Sequence, residues 1–233
     1  MTSLGSRTSP EVRDERPVVL VPLGSTEQHG PHLPLDTDTR IAVGISEHAS
    51  SIVGCELPFP GLPFPVHVAP AVAYGASGEH QGFAGTLSIG SAAFEHVVVE
   101  LGRSAGDDYR LVVLVNGHGG NAQALADAVS TLQAEGRRVR SWSPRLAAAD
   151  SHAGRTETSL MLAVDPSVVR LDRAEPGVTT PLPDLIDDLR RGGLAAVTPN
   201  GVLGDPTGAS AAEGRDLLAE LVADLVRAVT TEP

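Results

Sequence analysis

Two short apolar runs set the frame for this chain. VVLVPL, Val18 to Leu23, stops at Gly24, and Leu111 to Val115 stops at Asn116 and Gly117. Runs this short, rich in valine and leucine and bounded by turn residues, read as strands buried on both faces. Strands of that kind belong to sheets covered by helices on both sides, so the runs point to an α/β fold with a mostly parallel sheet.

The rest of the pattern supplies the helices. Asp38 or Thr39 is placed to cap a helix carrying Ile41, Ile45, Ala49 and Ile52 on one face. Phe94, Val97, Val98 and Leu101 form a second helical stripe. A third helix starts near Ala122, with Leu125, Ala126, Val129 and Leu132 inward. Thr156 to Val164, Pro183 to Arg190 and the stripe Leu217, Leu218, Leu221, Val222, Leu225 and Val226 read as three more. Val139 to Trp142 is a short strand. Val66 to Ala73 is strand-like, with Pro70 arguing for an edge or an early end. Residues 54–65 are proline-rich and read as an irregular connector. Neither an internal repeat nor a composition shift divides residues 18–233, which are expected to form a single domain. Residues 1–17 are polar, carry Arg7, Arg13 and Arg16 without an apolar stretch, and read as a flexible tail, not a signal peptide.

Composition excludes several functions. The formal net charge is −12, and nothing resembles a basic patch for nucleic acid or an anionic membrane. No run approaches membrane-spanning length. All 17 basic residues are arginine, so neither a Walker-type phosphate-loop lysine nor a lysine Schiff base is available. Cys55 is the only cysteine, which rules out an intrachain disulfide and is compatible with a reduced cytoplasm.

Four separated segments carry the chemistry. STEQHGPHLPLDTDTR begins at Ser25 and contains Glu27, His29 and Asp38. YGASGEHQGFAGT begins at Tyr74, NGHGGN contains His118, and HAGRTETS contains His152 and Glu157. Carboxylate oxygen with imidazole nitrogen suits a divalent metal, and no serine sits in a nucleophile elbow, so water is the expected attacker. Glu27 and His29 follow one strand and His118 follows another, and open α/β sheets gather their sites beyond the carboxyl ends of strands. Each residue also has a plainer reading. Asp38 suits a helix cap, Glu157 suits the first turn of a helix, and the glycines around His118 suit an anion cradle. His32 is a reserve ligand; His48, His67 and His96 read as structural.

Together these segments resemble the creatininase family of metal-dependent amidohydrolases, from about Val18 to Val226. STEQHGPHLPLDTDTR, YGASGEHQGFAGT and the later GVLGDPT look closer still to the branch of that family that serves mycofactocin maturation. The resemblance implies a three-layer fold and two divalent ions per subunit (zinc, iron(II) or manganese). It also implies a cytoplasmic homo-oligomer, often a hexamer. The family's metal pattern falls on Glu27, His29, Asp38 and His118, with Asp38 bridging. Creatininases carry a glutamate two residues after the histidine of the third motif; here that position is Gly120, and Glu157 is the candidate replacement. His152 matches the histidine that assists proton transfer. Ser77, Glu79, His80, Gly119 and Gly120 are expected against the substrate. The branch implies a precursor peptide modified at its C-terminal Val-Tyr and released from it as a dipeptide. Three other functions compete: a cyclic-amide or formamide hydrolase, a non-catalytic metal scaffold, and a nucleotide-binding domain built on NGHGGN.

Overall fold

The computed structural model describes residues 3–55, 64–146 and 149–231. In chain order its longer elements are α1 (Ser9–Glu15), β1 (Val18–Leu23), α2 (Thr37–Cys55), β2 (Val66–Val68), α3 (Ser91–Ala105) and β3 (Leu111–Asn116). There follow α4 (Ala122–Ala134), β4 (Val139–Trp142), α5 (Arg155–Val164), α6 (Leu182–Gly192) and α7 (Ala211–Thr230). The four strands pair in parallel in the order β2-β1-β3-β4.

Period-two alternation divides each strand between two cores. Val18, Leu20, Val113 and Val115 point to one face, where they meet Ile41, Ile45 and Ala49 of α2, Leu160 and Met161 of α5, and Leu221, Val222 and Leu225 of α7. Val19, Val21, Leu23, Val112 and Leu114 point to the other, against Phe94, Val98 and Val99 of α3 and Leu125, Ala128 and Leu132 of α4. The result is the expected α/β sandwich of helix, sheet and helix. Among the described residues no helix is long and apolar enough to cross a membrane.

Several sequence expectations shift in detail. Ile52, Val97, Leu101 and Ala126 face solvent. On α3 the buried face is Phe94, Val98, Val99 and Gly102. Gly102 rotates the stripe because a β-carbon there would lie 2.4 Å from Leu132 Cδ1, so α4 packs through the gap. On α2 the inner face includes Ser46 and Ser50, whose hydroxyls donate to the carbonyls of Ala42 and Val66. β2 ends at Val68, as Pro70 suggests; the chain then rejoins β1 through Val72 N–H on the Pro22 carbonyl. Most of the proline-rich connector lies outside the described residues.

The segment before β1, read from the sequence as a flexible tail, contains helix α1. Thr8 and Glu11 form a capping box at its start, with Pro10 in the first turn. Glu15 at its end accepts from His67 Nε2 of β2 at 2.6 Å, which ties α1 to the sheet. The T-x-x-E signal was present in the sequence.

What matters for function is register. Leu23 pairs with Asn116, so β1 and β3 end side by side. The segments carrying Glu27 and His118 therefore leave the sheet together at its carboxyl edge.

Candidate metal centre

Asp38 lies in the first turn of α2, one residue inside the helix start, and does not cap it. It is buried, its Oδ1 is 3.0 Å from His29 Nε2, and its Oδ2 is 3.1 Å from His118 Nδ1. Glu27, fully buried on the segment after β1, places Oε2 3.3 Å from His118 Nε2 and Oε1 3.1 Å from His80 Nε2. Glu157, in the first turn of α5, accepts from the Ala153 N–H at 2.6 Å and lies 3.9 Å from His29 Nε2. Five side chains from three of the four segments thus converge. They form ligand groups whose donor atoms lie within 4.8 Å of one another: Glu27, Asp38 and His118; and His29, Asp38 and Glu157. Asp38 belongs to both. A third combination joins Glu27 and His29 to His152.

Backbone carbonyls orient the rings. The Glu27 carbonyl lies 3.1 Å from His29 Nδ1 and can only accept, so Nδ1 carries a proton and Nε2 is left for a metal. The Ala76 carbonyl, 3.2 Å from His118 Nε2, leaves Nδ1 of that ring in the same way.

Electrostatics also favour a cation. Both Glu27 carboxylate oxygens and Asp38 Oδ2 are buried without a well-aligned hydrogen bond, although imidazole nitrogens stand near them. An ionised carboxylate in that setting costs several kcal/mol unless a positive charge offsets it. The imidazoles respond to the same field. Burial alone would lower His29, but Asp38, helped by Glu157 and Glu27, holds it at about 9. His118 is raised well above its ordinary value against burial by Asp38 and Glu27. Burial pushes Glu157 up to about 7. Asp38 resists burial and is held low by His29 and His118. A divalent ion would neutralise this excess of carboxylate, so the donor set fits the group the sequence suggested.

The remaining candidates surround this cluster. His152 is buried, its ring centroid 4.4 Å from that of His29 and its Nδ1 3.9 Å from Glu27 Oε1. Burial, then the neighbouring His29 and His80, pushes it well below its ordinary value. His80 is likewise pushed to about 4, burial outweighing Glu27. Glu79 is partly open to solvent, its Oε1 3.6 Å from His118 Nε2. Ser77 is buried and hydrogen-bonded to Ser25. Gly119 and Gly120 start the turn into α4. The reserve ligand His32 joins none of the groups; its Nε2 is 2.8 Å from the Thr158 hydroxyl.

Sequence reasoning missed two kinds of residue. Asn121 stitches the site together: its Oδ1 accepts from Ala76 N–H, and its Nδ2 donates to the Gly24 carbonyl and Asn116 Oδ1. Gln28, between two candidate ligands, bonds to residues of three distant segments. Asn121 closes the NGHGGN motif, a signal that was available; Gln28 gave none beyond its neighbours.

The model of the family described as creatinine amidohydrolase matches residues 5–229 of this chain. The chain belongs to the creatininase family. Within it, the chain is 52% identical over 230 residues to the mycofactocin precursor peptide peptidase of Mycobacterium tuberculosis, covering 97% of this chain and 90% of that protein. It is 51% identical over 222 residues to the protein of the same name from Mycolicibacterium smegmatis, covering 95% and 87%. Among solved structures, creatinine amidohydrolase aligns over 98% of this chain and 96% of its own, with TM-score 0.76 and 25% identity. Another creatininase of the same TM-score, 0.76, and 25% identity, covering 99% of both chains, is titled as a manganese form. As a creatininase-family member the chain is a hydrolase.

Gly120 separates this creatininase-family chain from the pattern in which a glutamate stands two residues after the motif histidine. A β-carbon there would lie 2.4 Å from each of the Ala76 carbonyl oxygen, Glu79 Oε1 and His118 Nε2. The turn has closed over the space a side chain would need.

Proposed function

We propose that this chain is a metal-dependent peptidase that hydrolyses the mycofactocin precursor peptide and releases its modified C-terminal Val-Tyr dipeptide. The observation that carries the reading is Asp38 shared between two ligand groups, in a chain half identical to peptidases of that name along nearly its whole length. Glu27, Asp38 and His118 would hold one divalent ion, and His29, Asp38 and Glu157 would hold a second. Glu157 would supply a carboxylate to the second group from the His29 side, while the space beside Gly120 is taken by Glu79 and the Ala76 carbonyl. Zinc, iron(II) and manganese all suit this oxygen and nitrogen set.

When bound, the ions supply Lewis-acid polarisation of the scissile carbonyl and lower the pKa of water toward about 7. The chain's own residues do the rest. Neutral His152 takes the proton of the attacking water at Nδ1 and hands it to the leaving amine, a role worth roughly 10²–10⁴-fold. Ser77, Glu79 and His80 stand around the approach with Gly120 packed among them, and Gly119, whose missing side chain leaves open space, admits the peptide closely. The enzyme works as a cytoplasmic homo-oligomer, expected to be a hexamer.

Mass spectrometry of the modified precursor after incubation tests this reading. A released C-terminal dipeptide that disappears with chelator supports it. Intact peptide alongside turnover of creatinine or a formamide favours the other hydrolase reading, and metal retained without turnover of any amide favours the scaffold.

A further inference from the structure

Gln28, between Glu27 and His29 in the sequence, is buried, and its side-chain amide has four close polar neighbours. Its Oε1 accepts from the Gly30 N–H at 2.9 Å. Its Nε2 lies 3.0 Å from the Gly201 carbonyl, 3.1 Å from His80 Nδ1 and 3.1 Å from His152 Nε2. The reverse orientation would set oxygen against the Gly201 carbonyl and N–H against the Gly30 N–H, so the amide has one acceptable placement.

An amide nitrogen has two protons, and here it has three neighbours. His152 resolves the count. Its Nε2 is also 2.9 Å from the backbone carbonyl of Gln28, which can only accept. His152 Nε2 therefore carries a proton and accepts nothing. The two amide protons go to the Gly201 carbonyl and to His80 Nδ1. His80 must then carry its proton on Nε2, the atom that stands 3.1 Å from Glu27 Oε1. The bare nitrogen of a neutral His152 is Nδ1, which faces Glu27.

We propose that Gln28 is a positioning residue: its side-chain amide locks His80 as the Nε2–H tautomer against Glu27, while its backbone carbonyl locks His152 as the Nε2–H tautomer with Nδ1 turned to the carboxylate cluster. One residue thereby sets the proton inventory of both histidines that flank Glu27 without binding metal itself. That Nδ1 of His152 then moves the proton of the reaction rests on the function proposed above; the tautomers do not.

Long-range ¹⁵N–¹H correlation spectra of the imidazoles test the assignment, recorded on the full chain both zinc-loaded and metal-free. The wild type should show the proton of His80 and that of His152 on Nε2. Gln28→Met keeps the bulk and removes the amide donor. In that variant His80 should lose its single tautomer and populate Nδ1–H, whereas His152 should stay unchanged because the backbone carbonyl persists. The variant's kcat should fall about 10–100-fold, the usual effect of removing an outer-shell partner, with KM little moved. A wild-type ring protonated on Nδ1, or a His80 spectrum indifferent to Gln28→Met, overturns the proposal. The wild-type spectrum decides even if the variant does not fold. Because the spectra need no substrate, failure of the peptidase reading would be seen separately, as intact peptide with the tautomers in place.

Discussion

The sheet interior and the crevice at its carboxyl edge are built from the same two strands and follow opposite rules. Leu20 and Leu114 are buried among aliphatic side chains, and their burial stabilises the fold with no further partner. A few residues along, Glu27 and Asp38 are buried just as deeply, but both oxygens of Glu27 and Oδ2 of Asp38 lack an aligned hydrogen bond. The first region is complete without help. The second becomes favourable only with positive charge inside it. The contrast teaches that burial of the same degree reports packing in one place and ligand chemistry in the other, and that the two should respond differently to mutation and to metal.

The largest difference should come from Asp38. Asp38→Ala removes the carboxylate common to both ligand groups. Peptide cleavage should fall by about 10³-fold or more, matching the several kcal/mol that Lewis-acid stabilisation supplies. Metal content measured by atomic emission should drop for both ions; loss of only one would mean that Asp38 does not bridge.

Chelation then separates the two regions directly. With free ion near 1,000 times its Kd, stripping it should lower unfolding stability by about 4 kcal/mol. Leu114→Ala should lose about 2–5 kcal/mol through its cavity, with or without chelator, and keep its metal. Denaturant melts of wild type, Leu114→Ala and Asp38→Asn give the comparison. Only Asp38→Asn should become indifferent to chelator.

Within the crevice the two groups differ as well. Glu27, Asp38 and His118 are enclosed, whereas the Glu157 side chain is 23% exposed. Glu157→Gln should therefore weaken one ion, by more than the roughly 10–100-fold seen on losing an outer-shell partner, and leave the other in place. Metal titration should show one tight and one weak site. Two unchanged sites would remove Glu157 from the ligand set.

The smallest effect is in pH. Raised imidazoles hold protons that metal must displace: against burial, Asp38 holds His29 at about 9, and Asp38 and Glu27 hold His118 well above its ordinary value. Glu157, near 7, adds to this as pH falls. Affinity should accordingly rise with pH up to about 9, with proton release visible as a buffer-dependent heat of binding. A flat affinity across that range would contradict the charge assignment.

How much of this was legible in the sequence follows from the kind of information each part needs. β1 and β3 were plain, because an apolar run bounded by glycine has few other uses. The ligands were legible by residue type at strand ends. Helix phase was not: Val97 and Leu101 fit a helical stripe as well as Val98 and Gly102 do, and only the close approach of Leu132 selects the second. Helix α1 was legible from Thr8 and Glu11 but masked by the charge of its surroundings. The role of Gln28 was not legible, since His80, His152 and Gly201 become its neighbours only after folding.

Anomalous diffraction from crystals grown with zinc tests the central claim most directly. Two peaks about 3.5–4 Å apart are predicted, one touching Glu27 and His118, the other His29 and Glu157, both in reach of Asp38. Zinc bound elsewhere, or a single ion that ignores Asp38, would contradict the account.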